Sequence, residues 1–420
     1  AQWSYSAIFP KVASTFEEVL ASIEVQVTAG SVGLLPINSD GGSSGDEFIL
    51  RVRDGRCTID VVLHTRTGDR LCLRNVDAGR SEARVFRYET CERRPVNIDA
   101  AFDRLLPKML LNPGLPAKIE IANAFGILPT EISALLSSRA ILKLNLDEIF
   151  TDDLGRFLLS EYKHQCDLLS TYDASKMDVR SGYLGPDYYA RYFRQSITRV
   201  YHLVTALRRF GVESGSLLEI GSLFGTFSGA LQKLGYRVTA VDRYRKFSGA
   251  LDRYIDDLRS IGVEVIETEV DDENDVIDRL PQYDIVISMA VIEHIPHTPR
   301  YFLESLARHV RPGGVIALDT PNIAQYWHRN RLRAGKSIHA DIKDQFYASI
   351  PFEGHHREYT ASELRWMLEQ VGCKDIQCDI FDYNVFQFAE LSRDHITSLL
   401  AMTIDPSLTD TVLIVGRVQG

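Results

Sequence analysis

Beyond Gly215 the chain alternates short apolar runs with stretches whose apolar residues recur every three or four positions. The runs LLEI (217–220), RVTAVD (237–242), VEVIETEV (263–270), YDIVISMA (283–290), GGVIALDT (313–320), KDIQCDI (374–380) and TVLIVGRV (411–418) read as seven strands. Between them FSGALQKLG, FSGALDRYIDDLRSIG, YFLESLARHVR and TASELRWMLEQVG carry helical spacing. This order predicts a doubly wound α/β sheet, with its ligand crevice outside the carboxyl ends of the strands.

The preceding half is patterned differently. Residues 23–88 alternate polar and apolar positions in short bursts broken by Asp54-Gly55 and Gly68-Asp69, the pattern of antiparallel strands and hairpins. INSDGGSSGDE (37–47) is too polar to pack and reads as a surface loop. The expected organisation is a mixed α+β region over 1–150, a helical linker or lid over 151–200, and the α/β domain over 201–420. The aromatic stretch Tyr183, Tyr188, Tyr189, Tyr192 and Phe193 fits either an apolar face closing onto the next domain or a lid over a ligand.

Charge narrows the function classes. Asp and Glu outnumber Lys and Arg by 57 to 47, a balance that argues against a nucleic-acid partner. Arg329, Arg331, Arg333 and Lys336 read as a solvated helix face. The six cysteines lack CxxC spacing and are expected as reduced thiols. With no apolar run approaching the ~18–20 residues that span a bilayer, and no basic-plus-apolar leader in the first residues, a cytoplasmic protein is expected.

The chemistry gathers at strand ends. The turn Glu219-Ile220-Gly221-Ser222-Leu223-Phe224-Gly225-Thr226 bends the chain and presents amides at a helix N-terminus. A dinucleotide turn would need glycine at 221, 223 and 226, and only Gly221 qualifies. The Glu219 carboxylate would repel phosphate and suits an ammonium or sulfonium group. Asp242, at the end of the second strand, can accept hydrogen bonds from a ribose diol. Asp271 and Asp272, after the third, include a candidate for an adenine amino group, the register leaving open which one, or a helix cap.

EIGSLFG, AVD, YDIVISMAVIEHI and RPGGVIALDTPN together resemble class I S-adenosylmethionine-dependent methyltransferases, over about residues 200–420. The resemblance implies a Rossmann-like seven-stranded domain that uses S-adenosylmethionine and releases S-adenosylhomocysteine. Its cofactor site would comprise Glu219, Gly221, Ser222, Gly225, Asp242, an acid at Asp271 or Asp272, and the backbone at Met289 and Ala290. Leu223 departs from the usual glycine triplet.

An aliphatic hydroxyl acceptor must lose its proton, so a nearby His or carboxylate is expected. Glu293-His294, after the fourth strand, is one candidate, with a cap or packing pair as its plainer reading. The other is GHHREYT (354–360), where Thr360 and Glu363 predict a capping box and one of His355 and His356 should point inward. A metal on His355, His356 and Glu358 finds no recognisable ligand framework elsewhere, so none is expected.

An aromatic and Arg-rich insert at about 322–354 should roof the acceptor pocket. TPNIAQYWHRNRLRAGKS with GHHREYT also resembles methyltransferases of bacterial polysaccharide biosynthesis, which implies a sugar, nucleotide-sugar or glycan acceptor. A phenol or natural-product acceptor, and a catalytically silent S-adenosylmethionine-binding protein, are the alternatives. The N-terminal region is the surface where a second copy or a biosynthetic-complex partner would attach.

Overall fold

The computed structural model describes residues 5–9, 18–38, 47–51, 56–64, 69–76, 81–92, 141–170, 186–244, 249, 251–268, 275–348, 352, 354–392 and 406–419, with 394, 395, 398, 399 and 402. The chain forms two compact units, residues 1–142 with 392–406, and residues 143–391 with 407–420.

Among the described residues of the first unit, seven strands form two antiparallel sheets. One orders Tyr5–Ile8, Arg70–Asn75, Ser31–Ile37 and Phe48–Arg51; the other orders Arg56–His64, Glu18–Ala29 and Glu82–Glu92. The period-two pattern explains the packing, since Ala21, Ile23, Val25 and Val27 alternate inward from one sheet and meet Leu34, Leu50 and Leu71 of the other. Hairpins were expected at Asp54-Gly55 and Gly68-Asp69. The strands flanking each turn instead belong to different sheets, so the chain crosses the sandwich at both places. Most of the loop expected over 37–47 lies outside the described residues.

The second unit holds the seven-stranded sheet. We label its strands β1 (Gly215–Ile220), β2 (Tyr236–Asp242), β3 (Glu264–Glu267), β4 (Tyr283–Met289), β5 (Val310–Pro321), β6 (Cys373–Phe381) and β7 (Thr411–Val418). They lie in the order β3-β2-β1-β4-β5-β7-β6. The first five are parallel and β7 runs antiparallel to both its neighbours. The order reverses between β1 and β4, which places the switch-point crevice at their carboxyl ends. Both faces are covered, so the central strands are near-continuous apolar runs, Leu217, Leu218, Ile285, Val286 and Ile287 being fully buried.

Among the described residues its helices of five residues or more are α1 (Asp153–Ser170), α2 (Pro186–Arg209), α3 (Thr226–Lys233), α4 (Asp252–Ser260), α5 (Arg300–Arg308), α6 (Tyr326–Arg333), α7 (Ile342–Phe346) and α8 (Ala361–Gln370). The residues expected as a linker or lid thus contribute two helices to the domain itself. Their aromatics carry the packing: Tyr189 and Phe193 of α2 are buried with Phe224, Tyr244 and Tyr254. Segment 392–406, expected within the α/β domain, belongs to the first unit. Cys72, Cys166, Cys373 and Cys378 are free thiols. No helix among the described residues is long and apolar enough to cross a membrane.

The capping box forms as the sequence predicts. Thr360 Oγ1 accepts from Glu363 N at 3.3 Å and Glu363 Oε2 accepts from Thr360 N at 2.9 Å, fixing the chain entering α8. Thr360→Ala should therefore cost about 1 kcal/mol of stability, measured by urea denaturation.

Candidate functional site

The turn after β1 is built from left-handed backbone. Gly221 has φ +83°, Leu223 φ +42° and Gly225 φ +65°. A Cβ at Gly221 would collide with Val291, and one at Gly225 with Leu258. The positive φ at both positions favours glycine, and the closeness of Val291 and Leu258 adds to that preference. Leu223 occupies its unfavourable conformation because its N–H is donated to Asp242 Oδ2 at 2.6 Å. Asp242 Oδ1 accepts from Arg243 N at 2.7 Å. This carboxylate thus holds the turn through both of its oxygens. Ser222 hydrogen-bonds through its hydroxyl to the Tyr244 phenol.

Glu219 lies beneath this turn, only 1% exposed. The Ser228 hydroxyl of α3 donates to it. Burial pushes its carboxyl up to about 8, with Asp242 adding to the rise and Ser228 opposing it.

Across the switch point, β4 ends at buried Met289, and Ala290 follows at φ +56°. Ala290 N donates to Asp319 Oδ1 at 2.8 Å, and Asp319 Oδ2 accepts from Arg199 Nε of α2 at 2.7 Å. Both charged groups are buried. Burial disfavours the Arg199 charge, but Asp319 more than offsets it and holds the guanidinium charged. Phe227 and Tyr383 flank that guanidinium, 5.1 and 5.3 Å from it. Sequence reasoning passed over Arg199 and Asp319. Asp319 stands at a strand end in ALDT and was findable there; Arg199 sits in a helix whose pattern carries no signal for its partner.

Glu293 and His294 lie on a single 3₁₀ turn, Ile292–His294, after β4. The GHHREYT loop is tied to that turn by His356 N, which donates to Glu293 O at 2.7 Å. The two adjacent histidines separate. His356 hydrogen-bonds through Nε2 to Phe352 O at 2.8 Å and stabilises the loop. His355 meets His294 edge to face at 4.9 Å, and its Nδ1 lies 2.9 Å from Glu358 Oε1. Glu293 is fully buried, with Thr320 Oγ1 donating to Oε2 at 3.1 Å, and burial pushes its carboxyl up to about 7.

The structure thus brings together Glu293, His294 and His355 in one group, and Glu219, Gly221, Ser222, Gly225 and Asp242 in another. Asp271 and Asp272 lie outside the described residues. A cleft of about 350 Å³ is lined by Ile323, Ile338, His339 and Ala340 of the insert, and by His355 and Glu358. Arg329 and Arg331 of α6 turn their Nε groups to Ala324 O and Ser337 O, each at 2.7 Å, within that insert.

Residues 189–378 match a family model described as a methyltransferase domain. Over this segment the chain is similar to methyltransferase domains. Among curated proteins the chain is similar to the ubiquinone biosynthesis O-methyltransferase of Rickettsia typhi, 27% identical over 25% of this chain and 41% of that protein. The protein of that name from Rhizobium leguminosarum is 32% identical over 26% and 42%. The chain therefore spans about two fifths of the length of these curated relatives. Among solved structures, a putative sarcosine dimethylglycine methyltransferase from Galdieria sulphuraria is 12% identical, with TM-score 0.38 over 62% of this chain and 98% of that one. Likeness of that degree adds nothing to the fold read from the strand order.

Two outcomes follow from the buried charges of this domain. Removing Arg199 leaves Asp319 buried without its counter-charge, so Arg199→Ala should cost about 3–5 kcal/mol in chemical denaturation. Between pH 4.5 and about 8 the folded chain retains the Glu219 proton that the unfolded chain has lost. Stability should therefore fall as pH rises through that window, and Glu219→Gln should flatten the decline in urea midpoints taken from pH 5 to 8.

Proposed function

We propose that this protein transfers the methyl group of S-adenosylmethionine to an oxygen of a small-molecule acceptor. The observation that carries this reading is the pair of buried carboxylates, Glu219 and Asp242, flanking a left-handed turn at the switch point of the sheet. Glu219 receives the donor's ammonium in this reading, which is supported by its hydrogen bond to a neutral partner, the Ser228 hydroxyl. Asp242 receives the ribose hydroxyls, and Gly221, Ser222, Gly225, Met289 and Ala290 form the adjoining walls. S-adenosylmethionine supplies an electrophilic methyl on a sulfonium that departs as a neutral thioether.

For the chain, the task is alignment in a place sheltered from water. The acceptor enters the cleft between the insert and the GHHREYT loop, and its hydroxyl is deprotonated beside Glu293, His294 and His355. A new O–C bond forms as the C–S bond breaks, sulfur keeping the electron pair. The relatives' names favour oxygen as the receiving atom. A sugar, nucleotide-sugar or glycan acceptor remains our preferred class, on the mixture of Arg and exposed aromatic groups in the insert, among them Trp327, Phe346 and Tyr347. A ring hydroxyl of a phenol is the second reading, favoured by the curated relatives' part in ubiquinone biosynthesis.

Two measurements test this. A Glu219 carboxyl protonated near neutrality must ionise to hold an ammonium, so S-adenosylhomocysteine binding at pH 7 should release up to one proton. Calorimetry in buffers of different ionisation enthalpy reads that number; equal heats in every buffer would exclude Glu219 from the contact. Supplied with radiolabelled donor, the chain should methylate members of a nucleotide-sugar and oligosaccharide panel. Label appearing only in phenols would move the acceptor to the second class, and label in neither would leave binding without transfer.

A further inference from the structure

The residues grouped after β4 have a composition that proton transfer alone does not require. Glu293, His294 and His355 each present one ligand atom, and these atoms all lie within 4.8 Å of one another. Two imidazoles and one carboxylate form a donor set that first-row divalent ions favour. The expectation from sequence that no metal binds rested on His355 and His356 acting with Glu358. The structure regroups the ligands: His356 turns to the Phe352 carbonyl, and Glu293 with His294 arrives from another loop.

Two independent features point to an ion. Glu293 is fully buried, yet its Oε1 has no hydrogen-bond partner, whereas Oε2 is satisfied by Thr320. A carboxylate oxygen withdrawn from water without a donor is costly unless it keeps a proton or a cation meets it, and the two imidazoles beside it favour the cation. The second feature is the outer layer of the cluster. His355 Nδ1 is 2.9 Å from Glu358 Oε1, so a proton shared there leaves Nε2 with its lone pair, the carboxylate-histidine arrangement that orients metal-binding imidazoles. Glu358 is itself only 15% exposed and is approached on its other oxygen by His328 Nδ1 at 3.4 Å.

We propose that Glu293, His294 and His355 bind one divalent metal ion of the zinc, cobalt or manganese type, with Glu358 orienting His355. Three protein ligands leave coordination positions open, as catalytic rather than structural sites do. His355 and Glu358 also line the cleft, so the ion stands at its wall. There it holds the acceptor's hydroxyl oxygen and lowers its pKa, the proton passing to water in the cleft before the oxygen attacks the methyl carbon. That catalytic role rests on the methyl-transfer reading above; binding of the ion does not.

The test is a cobalt titration of the full chain after chelator treatment, read by visible absorbance, with zinc calorimetry alongside. One ion per chain should bind. Affinity should fall at least tenfold in His294→Ala and in His355→Ala, and about 10–100-fold in Glu358→Gln. His356→Ala, which removes no ligand, should change it less than His294→Ala or His355→Ala does. Absence of binding, or equal affinity in His294→Ala, His355→Ala and the unaltered chain, would overturn the proposal. S-adenosylhomocysteine calorimetry on the same sample separates the two readings. Heat from the nucleoside without cobalt binding defeats the metal alone; cobalt binding without nucleoside heat supports the metal and defeats the methyl-transfer role.

Discussion

The domain is organised around carboxylates held out of water at one edge of a parallel sheet. Glu219, Asp242, Glu293 and Asp319 stand at or just beyond the ends of β1, β2, β4 and β5, all buried. Asp319 is paired with the guanidinium of Arg199, whereas Glu219 and Glu293 receive neutral hydroxyls from Ser228 and Thr320. Isolated negative charge in such surroundings is unfavourable, so these groups either keep a proton or meet a cation. Glu219 and Glu293 are accordingly pushed up to about 8 and about 7 by burial. Groups that keep a proton or meet a cation are consistent with the ammonium and metal-ion contacts proposed above.

The same edge explains the local backbone. Leu223, Ala290 and the two glycines of the turn all sit at positive φ, and the amides of Leu223 and Ala290 are spent on Asp242 and Asp319. These acids thus fix the loops that form the crevice, and their place at the carboxyl ends of β2 and β5 is a structural requirement. Deeper in the fold, Arg199 carries the constraint from the sheet into α2, whose aromatics pack with Phe224 of the turn.

Much of this was legible in the residues. The alternation of strand and helix patterns gave the seven strands of the sheet, because apolar runs buried on both faces have no other reading at that length. Thr360 and Glu363 announced a cap that depends on neighbours three positions apart. What stayed hidden depends on contacts between distant segments. The Arg199–Asp319 pair joins residues 120 positions apart. The grouping of His294 with His355 arises from loops that meet only in space. In the first unit, period two identified strands but could not say which sheet each joins, so turns at Asp54-Gly55 and Gly68-Asp69 looked like hairpins.

The central claim is that Glu219 and Asp242 grip a nucleoside of the S-adenosylmethionine kind at the switch point. A crystal structure of the chain with S-adenosylhomocysteine tests it most directly. The account places the ligand's amino group within hydrogen-bond distance of Glu219 and its ribose hydroxyls on Asp242. A nucleoside seated elsewhere, with both carboxylates untouched, would contradict it.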